Sequence, residues 1–233
     1  MNIALLGYGR MGKEIEKIAL KRGHSIVHKI SSDISSFDFT SVDVAIDFSI
    51  PSAAYQNITH CIKHQIPVIS GTTGWLEQYD DVVNMCETKN GAFIYASNFS
   101  LGVNIFFEMN AYLAKMMSQL EDYKVNIEEI HHTKKLDAPS GTAITLAEGI
   151  IQHTKYNDWK LDGSTNDVTL PIVAKRIPEV PGTHEITYTS SIDSISIKHE
   201  AHNREGFALG AVVAAEWIQD KKGVYTMKDV LNI

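Results

Sequence analysis

Within its first dozen residues the chain commits itself to a topology. The run Ile3-Ala4-Leu5-Leu6 is a short apolar strand, and Gly7-Tyr8-Gly9-Arg10-Met11-Gly12 follows at once, ahead of an amphipathic helical pattern. Strand, glycine-rich turn and helix in that order open a parallel βαβ unit of the kind that binds dinucleotides. Gly7 permits the tight turn, Gly9 lets the backbone approach a pyrophosphate, and Gly12 allows close packing of helix on strand. The bland alternative is a helix-packing turn with no ligand, which accounts for many isolated matches; here strand, turn and helix all agree. Tyr8, Arg10 and Met11 lie inside the motif and become cofactor contacts on the same reading, with Arg10 either near the phosphates or a solvated residue at the helix start.

The rhythm continues through the first hundred residues. Apolar runs predict strands at about 25–30, 43–47, 66–70 and 92–95, and amphipathic patterns predict helices at about 10–22, 51–64 and 75–90. Alternation of this kind makes a doubly wound parallel sheet, in which ligands sit outside the carboxyl ends of the strands. The loops there carry Gly7 to Gly12, Phe48-Ser49, Gly71-Thr72-Thr73-Gly74 and Ser97-Asn98-Phe99, so all four can face one cofactor. Gly71 to Gly74 could equally be a plain turn and cap, and Phe99 could simply be core.

After residue 100 the pattern changes to a helix at about 103–118, a strand at 123–131 and a helix at about 141–153. A polar stretch, Lys155 to Asp167, follows. Segments 169–174, 184–190 and 194–202 then read as antiparallel strands, and 207–218 as an apolar helix. Residues 101–206 therefore read as an α+β domain with an antiparallel or mixed sheet.

Between that strand and helix lies Glu129-Ile-His131-His132-Thr-Lys134-Lys135-Leu-Asp137-Ala-Pro139-Ser140-Gly141-Thr142. Two imidazoles and two ammonium groups precede a turn that opens a helix, whose free N–H groups and dipole attract an anion. With 28 acidic against 21 basic residues, the net charge of -7 argues against a nucleic-acid or membrane surface and makes this cluster a local site for a small anion. Neighbouring strand residues point to opposite faces, so Glu128, Glu129, His131 and His132 cannot easily share a metal ion, and none is expected. Cys61 and Cys86 lack metal or redox spacing and read as reduced, packed thiols. No apolar run approaches the roughly 20 residues of a bilayer span, and the chain starts directly on a strand, which predicts a soluble cytoplasmic protein.

These stretches, together with Val44-Ala-Ile-Asp47-Phe48-Ser49, Asn98-Phe-Ser-Leu-Gly102-Val-Asn104 and Phe207-Ala-Leu-Gly210-Ala, resemble the 4-hydroxy-tetrahydrodipicolinate (dihydrodipicolinate) reductase family over nearly the whole chain. The resemblance implies a Rossmann-type nucleotide domain made of 1–100 and 207–233, with residues 101–206 inserted, hinges near 98–103 and 203–208 and a cleft between the two, and NAD(P)H-dependent reduction of 4-hydroxy-tetrahydrodipicolinate in lysine and diaminopimelate biosynthesis. It implies His131 as acid/base, Lys135 as second proton donor, and His132, Ser140, Gly141 and Thr142 as ligands of a small dicarboxylate. It places Gly71, Thr72, Thr73, Ser97, Asn98 and Phe99 beside the nicotinamide, and it implies a homotetramer assembled through the second sheet. Arg176 and Pro181-Gly182-Thr183-His184 would help close the cleft or form subunit contacts.

The chain departs from the family at Ser31, where Glu is frequent, and at Thr183 and Leu209. A serine with Lys29 nearby accepts a 2′-phosphate better than a carboxylate would, which favours NADPH, while Asp33 as a displaced acidic reader keeps NADH open. A non-catalytic nucleotide sensor or an oxidoreductase for another small acid would share the glycines. Neither needs the HHxxK and SGT residues.

Overall fold

The computed structural model describes residues 1–31, 34, 37–162, 166–203 and 205–233. Their elements, in order, are β1 (Asn2–Leu6), α1 (Arg10–Lys21), β2 (Ser25–Ile30), β3 (Val44–Asp47), α2 (Pro51–Lys63), β4 (Val68–Ser70), a 3-10 turn (Leu76–Gln78), α3 (Tyr79–Thr88), β5 (Ala92–Tyr95), α4 (Leu101–Met117), β6 (Lys124–His131), α5 (Gly141–Ile151), β7 (Asp158–Leu161), β8 (Thr169–Arg176), β9 (Gly182–Thr189), β10 (Ser194–Ala201), α6 (Glu205–Ile218), β11 (Gly223–Tyr225) and α7 (Met227–Leu231). They form two compact units, residues 1–101 with 205–233, and residues 102–204.

The first unit is a Rossmann-type, all-parallel six-stranded sheet in the order β11-β5-β4-β3-β1-β2. Its strands are apolar on both faces because both faces are covered. Alternation along β1 sends Ile3 and Leu5 into one core with Ile15 and Ala19 of α1 and Ala208, Ala211, Val212 and Ala215 of α6. Ala4 and Leu6 enter the opposite core with Ile58 and Ile62 of α2 and Val82 and Cys86 of α3. Both cysteines are buried and free; burial raises both thiols, that of Cys86 to about 11, which removes the reactive thiolate at neutral pH.

Winding reverses between β1 and β3, so the turns leaving these two strands flank a crevice. Gly7 has a φ of 94°, and a Cβ there would lie 2.2 Å from the Phe48 carbonyl oxygen, so only glycine fits this backbone crossing. Gly12 sits directly beneath, where a Cβ would meet the Gly7 carbonyl oxygen at 2.4 Å.

The second unit carries a five-stranded mixed sheet in the order β10-β9-β6-β8-β7. Strands β9 and β10 pair antiparallel as their sequence suggests, but β8 lies parallel to both β6 and β7, contrary to the antiparallel expectation. A β-rich run of residues specifies a strand and leaves its direction to the long connection that delivers it. Strand β7 lies inside the polar stretch that carried no predicted element, where Trp159 and Leu161 pack against the core of this unit. The core joins Val125 and Ile127 of β6 to Leu146, Ala147 and Ile150 of α5 and Ile186 and Tyr188 of β9. The short β11 and α7 also escaped the sequence reading, although Thr226 and Asp229 form a reciprocal cap that opens α7. No helix of the described residues is long and apolar enough to cross a membrane.

Because the Gly7 conformation disfavours any side chain and the space beside it is filled by backbone, Gly7→Ala should destabilise the protein by about 2–4 kcal/mol. Urea unfolding followed by circular dichroism measures this directly.

Candidate functional site

In the first unit, a cleft of 620 Å³ opens at the crevice and is lined by Gly7, Tyr8, Gly9, Ser31, Phe48 and Ser49 among others. A second concavity, of 380 Å³, shares Gly9, Phe48 and Ser49 and adds Arg10, Met11, Gly71, Thr72 and Thr73. Helix α1 starts at this edge with no side-chain cap on its amides and no acid in its first turn, which leaves its N–H donors for an anion. The glycine cradle and the bare helix start fit the pyrophosphate of a dinucleotide.

Both loops on the far side of the cleft hang from one side chain. Asp47, at the end of β3, is fully buried and accepts hydrogen bonds from Ser49 Oγ (2.7 Å), Asn57 Nδ2 (2.9 Å), Ser70 Oγ (2.8 Å) and Thr72 Oγ1 (2.7 Å). Burial raises its carboxyl against the pull of these four neutral donors. Thr72 also accepts from the Ser49 amide at 2.9 Å, so its hydroxyl ties loop to loop while the residue lines the second concavity with Gly71 and Thr73. Asp47 was visible in the sequence as part of a motif, without this role.

Not every expected contact stands in the clefts. Gly12 supports the turn from below, and Ser97, Asn98 and Phe99 line neither concavity. Phe99 is 1% exposed, packed on Phe48 with ring centres 5.7 Å apart, so the core reading holds for its side chain. Asn98 Oδ1 closes a local turn by accepting from the Ser100 amide at 2.9 Å. Lys29, expected as a free cation for a 2′-phosphate, is paired with Glu16 at 2.6 Å and lies 4.7 Å from the centre of the Tyr8 ring. Asp33 lies outside the described residues.

The second unit assembles its candidate site around Glu129. Along β6, alternation turns Val125, Ile127, Glu129 and His131 to the buried face, while Glu128 faces away and pairs with Lys175 at 2.5 Å. Strand register brings His184 of β9 directly opposite Glu129, and Arg176 of β8 opposite His131. Glu129 is fully buried. Its Oε1 meets Arg176 Nη2 at 3.1 Å, and its Oε2 accepts from the Ser140 amide at 3.0 Å, with His131 Nδ1 at 3.5 Å and His184 Nε2 at 3.6 Å. Ser140 Oγ caps α5 by accepting from the Ala143 amide at 3.2 Å and also contacts His184 Nε2 at 3.1 Å. Arg176 Nη2 further donates to the Asp137 carbonyl at 2.6 Å, tying down the loop that carries Lys135.

Of the residues expected from sequence, His131, His132, Lys135, Ser140, Gly141 and Thr142 therefore cluster along one loop. Lys135 forms a 2.8 Å pair with Asp137, and its amide donates to the His132 carbonyl at 3.0 Å, closing the turn. Gly141 is exposed at the start of α5, while Thr142 and His132 are half-buried. Glu129 was weighed only as a metal ligand, and Arg176 and His184 only as closing the cleft or forming subunit contacts; their meeting around one buried carboxylate was not expected. The period-two burial of β6 was a usable signal for Glu129, whereas His184 and Arg176 arrive through pairings that no local pattern encodes.

Ligand atoms of Glu129, His131 and His184 lie within 4.8 Å of one another, a set that differs from the four residues weighed above. Hydrogen bonds already occupy the carboxylate: Arg176 holds one oxygen and the Ser140 amide the other. A divalent ion would have to settle beside that guanidinium, so the trio is better suited to holding a proton than a metal.

Burial pushes the His131 imidazole down, and the charges of His184, Lys135 and Arg176 add to this against the opposing pull of Glu129, leaving it at about 4. Burial pushes Glu129 up, but its contacts with His184 and Ser140 and the nearby His131 outweigh that and hold it at about 2. His131 is thus neutral in the folded protein at pH 7, while in the unfolded chain it titrates near its ordinary value of about 6.5.

Two segment models match the chain. "Dihydrodipicolinate reductase, N-terminus" matches residues 1–99, and "Dihydrodipicolinate reductase, C-terminus" matches residues 102–231. The 4-hydroxy-tetrahydrodipicolinate reductase of Christiangramia forsetii is 61% identical over 100% of this chain and 98% of its own length. The enzyme of the same description from Rickettsia rickettsii is 36% identical over 100% of both chains. Among solved structures, a dipicolinate-bound dihydrodipicolinate reductase from Paenisporosarcina sp. superposes with a TM-score of 0.78 at 21% identity, covering 97% of each chain, a likeness of fold.

The two depressed values set a pH dependence of stability. Between about pH 6.5 and 4 the unfolded chain binds a proton at residue 131 that the folded protein does not, so stability falls as pH falls through that window. Glu129 adds a second loss as pH falls from about 4.5 toward 2. In His131→Gln the first loss should shrink and the second persist, as read from urea midpoints measured at each pH.

Proposed function

The chain belongs to the dihydrodipicolinate reductase family, and from that premise we propose how its own residues divide the work. The protein is an NAD(P)H-dependent oxidoreductase that reduces 4-hydroxy-tetrahydrodipicolinate, or the dihydrodipicolinate formed from it by loss of water, to tetrahydrodipicolinate in lysine and diaminopimelate biosynthesis. The observation that carries the assignment of roles is the meeting of His131 and the Ser140 amide at the α5 start on one buried carboxylate.

Residues 1–101 with 205–233 take the nucleotide, and residues 102–204 take the dicarboxylate. Gly7, Gly9 and the first-turn amides of α1 receive the pyrophosphate, with Tyr8, Arg10 and Met11 around them and Gly71 and Thr73 toward the nicotinamide. The reduced nicotinamide supplies hydride to carbon when bound. Gly141 and Thr142 hold one substrate carboxylate through backbone N–H groups, and His132 and Lys135 hold the other end. Lys135 delivers the proton, while His131, held neutral at pH 7, is its proton-exchanging partner.

NADPH is the preferred reductant on this reading. Ser31 offers the cleft a hydroxyl, and no Asp or Glu is among the described residues that line it. Lys29, although paired with Glu16, leaves its stem and charge beside Tyr8 at the rim. We read the active form as a cytoplasmic homotetramer, supported by β10, an edge strand of the mixed sheet whose flank exposes Ile192 and Ile195.

The test is substrate-dependent loss of reduced-nicotinamide absorbance, with substrate made in situ by the preceding synthase from pyruvate and aspartate semialdehyde. Lys135→Ala and His131→Ala should each lower kcat roughly a hundredfold or more while leaving nucleotide binding nearly intact. Unchanged turnover in both would sink these roles. Ser31→Glu should move the ratio of kcat/KM values toward NADH by about tenfold, since a carboxylate repels a 2′-phosphate and binds a 2′-hydroxyl; an unchanged ratio would place cofactor discrimination elsewhere.

A further inference from the structure

His131 does not stand alone in the second unit. The groups facing it are Glu129 from its own strand, His184 from β9, Arg176 from β8 and Lys135 from the following loop. Gly182 packs on the ring from a further side, where a Cβ would sit 3.1 Å from Nε2. Little room is left for the ring to turn. Its Nδ1 is buried with no hydrogen bond among the described residues, yet it points to Glu129 Oε2 at 3.5 Å, so a displacement of a few tenths of an ångström completes an Nδ1–H to carboxylate bond.

Glu129 Oε2 serves three clients at once: the His131 ring, the His184 ring and the Ser140 amide at the start of α5. His184 also contacts Ser140 Oγ, the same oxygen that caps α5. The two rings stand edge to face with centres 5.0 Å apart. Neither Glu129 nor His184 can reach solvent, at 0% and 4% exposure, so neither is placed to touch substrate. They can act only through what they hold.

We propose that Glu129 and His184 form a positioning pair: Glu129 fixes the tautomer of His131 with its proton on Nδ1, and His184 locks Glu129 to the Ser140 cap, so that imidazole and anion-binding turn keep one geometry. An imidazole that donates Nδ1–H to a carboxylate presents Nε2 as its acceptor, and a fixed orientation spares the cost of ordering the ring during reaction. Arg176 neutralises the other carboxylate oxygen, which lets the charge stay buried without a metal. The inference rests on the reading of His131 as the acid/base group, and its test is chosen to separate the two.

Imidazole nitrogen spectra of the labelled protein, with His131 assigned by loss of its signals in His131→Gln, should show a neutral ring protonated on Nδ1 at pH 7. Glu129→Gln, close in shape but able to donate its own proton, should disturb that tautomer and lower kcat by roughly ten- to hundredfold, with the nucleotide dissociation constant within about twofold of the parent. His184→Ala should raise the substrate KM and lower kcat, each severalfold, because cap and ring loosen together. His184→Gln, whose amide can reach both Ser140 and Glu129, should recover most of the loss. A parent His131 protonated on Nε2, a Glu129→Gln protein with unaltered tautomer and kcat, or a His184→Gln protein as impaired as His184→Ala would each overturn the proposal. Should the parent reduce no substrate, the reading of His131 falls, while the tautomer spectra still decide whether Glu129 and His184 set it.

Discussion

A carboxylate without exposed surface has to be satisfied by the groups that enclose it, and in the second unit that requirement organises everything else. Glu129 draws on two neighbouring strands, a loop and the first turn of α5. Each partner is itself anchored: Arg176 in the loop through the Asp137 carbonyl, His184 through Ser140, and Ser140 through the helix it caps. Removing one partner would leave a buried charge short of donors, a cost out of proportion to any single contact.

The first unit meets the same problem differently. Asp47 is also fully buried, but its four donors are hydroxyls and an amide, and no cation joins them among the described residues. Burial therefore raises its carboxyl, whereas Glu129 is held at about 2. One arrangement shapes loops around a cleft; the other keeps a fixed negative charge beside an imidazole. Full burial on a strand is common to both, and the chemistry of the surrounding donors separates them.

Much of this was legible in the sequence. The glycine turn after β1, the alternation of strands and helices to residue 95 and the helix opened by Ser140 follow from local spacing, and the structure places them within a residue or three of where the spacing does. Features that depend on pairing were not legible. No local property of Thr169–Arg176 distinguishes a parallel from an antiparallel neighbour. His184 reads as part of a turn that closes the cleft or meets another subunit until the register with β6 sets it against Glu129, and Lys29 reads as a free cation until α1 brings Glu16 beside it. Phe99 shows the converse, a residue with a motif's address whose side chain is spent on the core.

One consequence of the discontinuous first unit concerns the order in which the chain is made. Helix α6 supplies Ala208, Ala211, Val212, Ala214, Ala215 and Ile218 to the face of the sheet formed by Ile3, Leu5, Val44, Ile46, Ile69 and Ile94, and β11 completes the edge beside β5. Until those last residues leave the ribosome, that face of the early strands has only α1 to cover it. Residues 102–204 carry a continuous core of their own and can close first. The part synthesised first is then the part that matures last, with an apolar sheet face awaiting its helix in the interval, and nascent chains arrested before residue 205 would display that face to chaperones or to a hydrophobic dye.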